Sequence, residues 1–214
     1  MSGSFDVRRP EFIARQGRRP TGILGHIVGR VMAAETAPDD ETTLELLDVQ
    51  PSDRVLELGY GHGRTIGKVA GLLKDGHALG VDFSTVMHAI ARHRNRQHIR
   101  GGRLELRVGD SRHLPFSDRS FDKVYALHTL YFWSDAAGQI VEVARILEPG
   151  GLFVLGFRPG ENEDFAQSFP SSIYRIRTRG EVERLLCANG FAELRAVNRN
   201  PHGGLTTWIV GRKA

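Results

Sequence analysis

The sequence predicts an α/β domain, a mostly parallel sheet with helices on both faces, and three observations carry that expectation. From Val55 onward, short apolar runs alternate with amphipathic stretches, the pattern of βαβ units. The first run ends in three glycines at alternate positions, Gly59, Gly61 and Gly63, where the chain turns into a helix. Over 214 residues, 40% are hydrophobic and 25% charged, with no uncharged apolar run near the ~20 residues a membrane span needs. A chain of this length buries about 70% of its unfolded surface and needs no disulfide or structural metal to hold a core.

Each element follows from local pattern. Residues 21–34 and 40–47 read as two helices with Pro38 and Asp39 between them, lying outside the βα alternation. Strands are expected at 54–59, 77–82, 103–109, 121–127 and 151–157. Between them, helical periodicity covers 64–73, 84–97 and 134–147, the last with Ile140, Val143, Ala144 and Leu147 on one face. Glu148-Pro149-Gly150-Gly151 is expected to stop that helix and turn the chain into the fifth strand. A further helix over 179–188 ends at Asn189-Gly190. Two strands, 191–198 and 205–212, with a turn at 201–204, then read as an antiparallel hairpin closing one sheet edge. No linker divides the chain, so residues 51–214 read as one domain and residues 1–50 as an N-terminal helical extension.

Composition narrows the partners. Twenty-nine Lys and Arg face 25 Asp and Glu, a formal net charge of +4. In the arginine-rich stretch 91–103, Arg92, Arg96, Arg100 and Arg103 recur at helical spacing without interleaved aromatics, which suits a solvated helix face better than a nucleic-acid stripe. One cysteine, Cys187, cannot form an internal disulfide, and the first residues carry no apolar signal region, so the expected location is the cytoplasm. His88, His93 and His98 step by five around a helix, and H-E-x-x-H is absent, so no metal is expected.

In an open α/β sheet, ligands bind beyond the carboxyl ends of the strands at the point where strand order reverses. The segment there is VLELGYGHGRT, residues 55–65. The dinucleotide pattern G-x-G-x-x-G fails, because Arg64 or Ile66 stands at the third glycine position. The phosphate-loop pattern fails at His62 and Val69. What remains is Glu57 ahead of the glycine turn, suited to a ligand bearing an amine. Asp82 ends the second strand, where a carboxylate accepts both hydroxyls of a ribose, and Phe83 follows. The third strand ends in Gly109-Asp110-Ser111. Three successive strands thus end near acidic positions.

Taken together, VLELGYGHG, GVDFS with Met87, GDSRHLPF, FDKVYALHTLYFW and EVARILEPGGLFVLGF resemble the class I S-adenosylmethionine-dependent methyltransferases, in particular the small-molecule branch that includes the quinone-biosynthesis type. The likeness spans 51–157, with a weaker echo at 187–191 and in the last hairpin. It implies a Rossmann-like fold with a seven-stranded, mostly parallel sheet whose last strand is antiparallel. It also implies S-adenosylmethionine as cofactor, S-adenosylhomocysteine as product and a small-molecule methyl acceptor. By that likeness, Glu57, Gly59, Tyr60 and Gly61 would sit at the methionine part, and Gly63 would shape the turn. Asp82 would hold the ribose, Phe83 and Ser84 would flank the adenine, and Gly109, Asp110 and the Ser111 backbone would meet its amine. Leu127 and His128 would face the sulfonium and the acceptor. His62 departs from the small residue or proline usual there, and no N/D-P-P-Y/F follows the fourth strand, which separates the chain from the amino-methylating DNA enzymes.

A sulfonium methyl is already activated, so the protein must mainly align the reactants and exclude water. For a hydroxyl or acidic-carbon acceptor, His128 is the best-placed candidate for a general base, since imidazole titrates near neutrality; the alternative is a shape or hydrogen-bonding residue lining the cofactor. His26, Tyr131 and Phe132 are the expected acceptor contacts, with Trp133, Tyr174 and His202 behind them and Met32 beside His26 on a lid formed by residues 1–50. A homodimer is compatible with the sequence. The rivals are an RNA or protein methyltransferase of the same fold and a non-catalytic nucleotide- or cofactor-binding module.

Overall fold

Seven strands form one sheet in the order β3-β2-β1-β4-β5-β7-β6 in a computed structural model that describes Glu11 and residues 37–161, 163–200 and 204–214. His26, Met32, His202 and the expected helix over 21–34 lie outside the described residues. The strands are β1 (Arg54–Leu58), β2 (His77–Asp82), β3 (Leu104–Val108), β4 (Phe121–Leu127), β5 (Leu147–Phe157), β6 (Phe191–Arg199) and β7 (Thr206–Lys213). The helices are α1 (Ala37–Leu47), α2 (Arg64–Leu72), α3 (Thr85–Arg94), α4 (Arg96–Arg100), α5 (Ala136–Ile146), α6 (Glu163–Gln167) and α7 (Arg179–Ala188), with a 3₁₀ turn at Leu130–Phe132.

The sheet is buried on both sides because its central strands carry apolar residues on both faces, successive side chains pointing to opposite sides. Leu56, Leu58, Val124, Ala126, Phe153 and Leu155 pack on one face against α5 and α7. Val55, Tyr125, Val154 and Trp208 pack on the other against α1 and α2. β1 to β5 pair in parallel, whereas β7 runs against both of its neighbours, β5 and β6. The last hairpin therefore closes the edge with β7 inserted inside β6.

Several boundaries differ from expectation for identifiable reasons. Pro38 and Asp39 lie in the first turn of α1 rather than between helices, since proline has no N–H to lose there. The helix expected over 84–97 breaks at Asn95, whose side-chain amide donates to the carbonyls of Gly63 at 2.7 Å and Ala91 at 3.0 Å. β5 begins at Leu147, four residues early: Leu147 already pairs with Phe121, and a register shift absorbs Pro149 and Gly150 before Lys123 meets Leu152. Arg92, Arg96 and Arg100 are exposed as expected, and Arg103 is half-buried.

Candidate active site

The carboxyl ends of β1, β2, β3 and β4 surround a cavity of about 440 Å³. Gly59 opens the turn after β1 with φ +76°, and a Cβ there would stand 2.2 Å from Thr129 Cγ2, so only glycine fits. Two residues on, Gly61 has φ +50° with open space where a Cβ would be, leaving its backbone bare to the cavity. Gly63 caps the start of α2. Asp82 ties this turn to the next: its Oδ2 accepts from Gly61 N–H and its Oδ1 from Ser84 N–H, both at 2.8 Å. Burial pushes the Asp82 carboxyl up, against the pull of those two backbone donors.

Glu57 lies buried in the cavity wall and accepts a 2.8 Å hydrogen bond from the Tyr125 hydroxyl. Burial drives its carboxyl well above the usual carboxylate range, and the nearby charges of Asp40 and Asp82 add to the rise, opposed by Tyr125. Asp40 is also buried at the cavity, holding Thr65 Oγ1 at 2.8 Å and the guanidinium of Arg64. His62 lines the same wall and is pushed down to about 4 by burial, then by Arg94 and Arg64.

The other expected residues divide. Phe83, Gly109, Asp110, Ser111, Leu127, His128 and Phe132 all line the cavity. The Asp110 carboxylate, however, is gripped by Arg112, whose Nε and Nη2 donate to Oδ2 at 2.9 and 2.6 Å, and the carboxyl is held below its ordinary value by that contact. The Tyr60 side chain is buried over β2, close to the bare Gly80, and its hydroxyl donates to the Arg107 carbonyl at 3.2 Å. Tyr131 is buried behind the wall, packed on Phe132, Phe165 and Tyr174, rather than lining the cavity. Trp133 is buried yet lines the cavity.

His128 follows β4 directly with a left-handed backbone, φ +56°, its N–H donating to the Gly156 carbonyl at 2.8 Å. Its Nε2 stands 2.7 Å from Asp39 Oδ2. Asp39 and Asp40 escaped the sequence reading, although two adjacent acids behind a proline are a helix-start signal. Nothing in the pattern says that this helix start lands on the cavity. Gln139, buried in the wall with its Nε2 donating to Ser111 Oγ at 2.5 Å, was likewise not foreseen.

The donor set suits a cationic ligand with a diol and a flat apolar end. The carboxyl groups of Glu57, Asp40 and Asp82 line the cavity together with Phe83 and Met87. A methyltransferase domain model matches residues 56–155. The putative methyltransferase YrhH of Bacillus subtilis is 31% identical over 122 residues, covering 56% of this chain and 67% of its own length. The chain belongs to the S-adenosylmethionine-dependent methyltransferases. A demethylmenaquinone methyltransferase of Corynebacterium efficiens is 36% identical to this methyltransferase over 149 residues, 69% of this chain and 59% of that one. In fold, it is similar to a SAM-dependent methyltransferase from Aquifex aeolicus, with TM-score 0.67 and 16% identity over 82% of this chain and 90% of that one. S-adenosylmethionine is its cofactor and supplies a methyl group already activated by the sulfonium charge.

Proposed function

We propose that this methyltransferase acts on a small-molecule acceptor and that His128 takes up the acceptor's proton. The observation that carries the reading is the position of His128, a cavity residue at the end of β4 whose main chain and ring are both held. The demethylmenaquinone methyltransferase among the relatives supports a small acceptor, whereas an RNA or protein acceptor has only the exposed arginines behind it, and the non-catalytic module is not favoured. Asp82 holds the ribose, Phe83 and Met87 take the adenine, and Glu57 with the Gly59-to-Gly63 turn takes the methionine end. Ser111 meets the adenine amine by its backbone, with Asp110 turned to Arg112. Phe132 faces the acceptor, with Tyr131 supporting it from behind, and residues 1–50, His26 among them, form the acceptor-side extension.

Calorimetric titration with S-adenosylmethionine, S-adenosylhomocysteine and NAD tests the site. Binding of the first two and not the third is expected; tight NAD binding alone would sink the reading. In transfer of labelled methyl to a deproteinised small-molecule extract, His128→Gln is expected to lower turnover by roughly 10²–10⁴-fold, and an unchanged rate would remove His128 from the chemistry. We assign the enzyme to the cytoplasm on its single, exposed thiol, Cys187, which cell fractionation tests. Sedimentation tests the homodimer, for which β3 offers an edge ending in the exposed Val108.

A further inference from the structure

A second groove, of about 580 Å³, opens between residues 175–177 and α7, and none of its lining residues lines the methyl cavity. The chain carries four arginines there, Arg175, Arg177, Arg179 and Arg184, and the structure divides them. Arg179 is neutralised, its Nε donating to Glu183 Oε1 at 2.8 Å. The other three line the groove, and none of them has a carboxylate in ion-pair reach among the described residues. Ile176, Leu185 and Ala188 line it with them.

The groove's own acid is committed elsewhere. Glu181 Oε2 accepts from Thr178 N–H at 2.8 Å while Thr178 Oγ1 accepts from Glu181 N–H at 3.2 Å, the reciprocal bonds that start α7. Arg177 is half-buried, and its guanidinium donates to main-chain carbonyls alone, those of Arg175 at 3.2 Å, Leu130 at 3.4 Å and Trp133 at 3.5 Å. Burial, then the Arg175 charge, pushes Arg177 down from the usual guanidinium range, opposed by Glu181. A cation drawn out of water beside a like charge is stabilised by an anion that reaches it. Arg184 spends only its Nε, on the Gly180 carbonyl at 3.2 Å, and Arg175 only one Nη, on the Ser134 carbonyl. Their remaining N–H groups have no protein acceptor among the described residues.

We propose that this groove is an oxyanion site, separate from the methyl cavity, for a soluble small molecule that carries a phosphate on an apolar body. Guanidiniums donate in pairs to phosphate oxygens, and Arg177 is already held by its three carbonyls, so it loses little freedom on binding. Ile176, Leu185 and Ala188 offer the apolar body its contacts, and a groove of about 580 Å³ is in the size range of small-molecule sites. A nucleic-acid strand fits less well. The lining stretch of α7, Glu181 to Ala188, rises only about 10 Å, and no aromatic side chain lines the groove to stack on a base.

The test is calorimetric titration of the full chain with phenyl phosphate and with inorganic phosphate, each with and without saturating S-adenosylhomocysteine. Phenyl phosphate is expected to bind with a dissociation constant below about 1 mM. It should bind about tenfold more tightly than inorganic phosphate, because its ring covers the apolar side chains. S-adenosylhomocysteine should leave both affinities unchanged; competition would place the anion in the methyl cavity and overturn the proposal. Arg177→Gln and Arg184→Gln are each expected to weaken phenyl phosphate binding by about tenfold or more. Arg184 is exposed, so its variant decides even if Arg177→Gln fails to fold. Arg179→Gln removes the same charge outside the groove and should leave the affinity unchanged. Equal losses in Arg179→Gln and Arg184→Gln would reduce the effect to net charge and overturn the site, as would a wild type that binds neither phosphate. Tighter capture of single-stranded RNA or of phosphatidylglycerol vesicles through the same arginines would overturn it in favour of a polymer or a membrane surface. All of these outcomes are independent of whether S-adenosylmethionine binds, so failure here leaves the methyl-transfer reading standing.

Discussion

Glu57, buried at the end of β1, is costly to ionise there, and that cost has a pH signature. Its folded pKa lies above the value in the unfolded chain. Between the two, the native state holds a proton that the unfolded state has released, so stability falls as pH rises through that window. Glu57→Gln is therefore expected to raise the melting temperature of the ligand-free protein at mildly alkaline pH, with the gain vanishing below the usual carboxylate range. The same change should weaken S-adenosylmethionine binding by roughly 10–100-fold, the worth of a hydrogen bond to a charged group. His62 has the opposite sign. It is pushed down from 6.5 to about 4, so the unfolded chain binds the extra proton and stability is lost as pH falls across that interval. The full difference is about 3 kcal/mol. His62→Gln should flatten this acid limb, as read by denaturant titration at a series of pH values; an unchanged limb would show that His62 is not its source.

At the scale of elements, α1 decides how the site is assembled. Trp208, fully buried on β7, donates from Nε1 to Thr43 Oγ1 at 2.9 Å, and Thr43 donates in turn to the Asp39 carbonyl at 2.7 Å. Thr43→Val keeps the volume but leaves the indole N–H without its acceptor, an expected loss of about 1–3 kcal/mol in denaturant titration. Hydrogen exchange should quicken first in α1. This helix also marks where the sequence stops being legible. Glu57, the glycine turn and Asp82 could be located because strand periodicity puts them at strand ends, and strand ends of an open sheet are where ligands bind. Asp39 and Asp40 could not, because the packing of α1 on the sheet is what brings Asp40 to the cavity and Asp39 to the ring of His128. The break at Asn95 has the same origin in a tertiary bond to Gly63, and the early start of β5 in its pairing with Phe121. Asp110 was legible as a position but not as a conformation, since the competing fork from Arg112 lies only two residues away.

Over the whole molecule, the cavity draws its wall from β1, β2 and β4, from the turn after β3, and from α1 and α5, so elements on both faces of the sheet share one ligand. A compound that binds only the assembled state stabilises all of them together, by RT ln(1 + [L]/Kd). At one hundred times its dissociation constant, S-adenosylhomocysteine is expected to add about 2.7 kcal/mol. In a chain of this size that corresponds to a rise in melting temperature of about 5–11 °C. NAD at the same concentration should give none. Asp82→Ala separates cofactor recognition from assembly, because it removes the proposed ribose contact together with the two carboxylate oxygens that accept from the Gly61 and Ser84 N–H groups. It should lower the ligand-free melting temperature and also abolish the shift with S-adenosylhomocysteine. A variant that melts lower but keeps the full shift would mean that Asp82 braces the turn without holding the ribose, leaving the cofactor's diol to other groups in the wall.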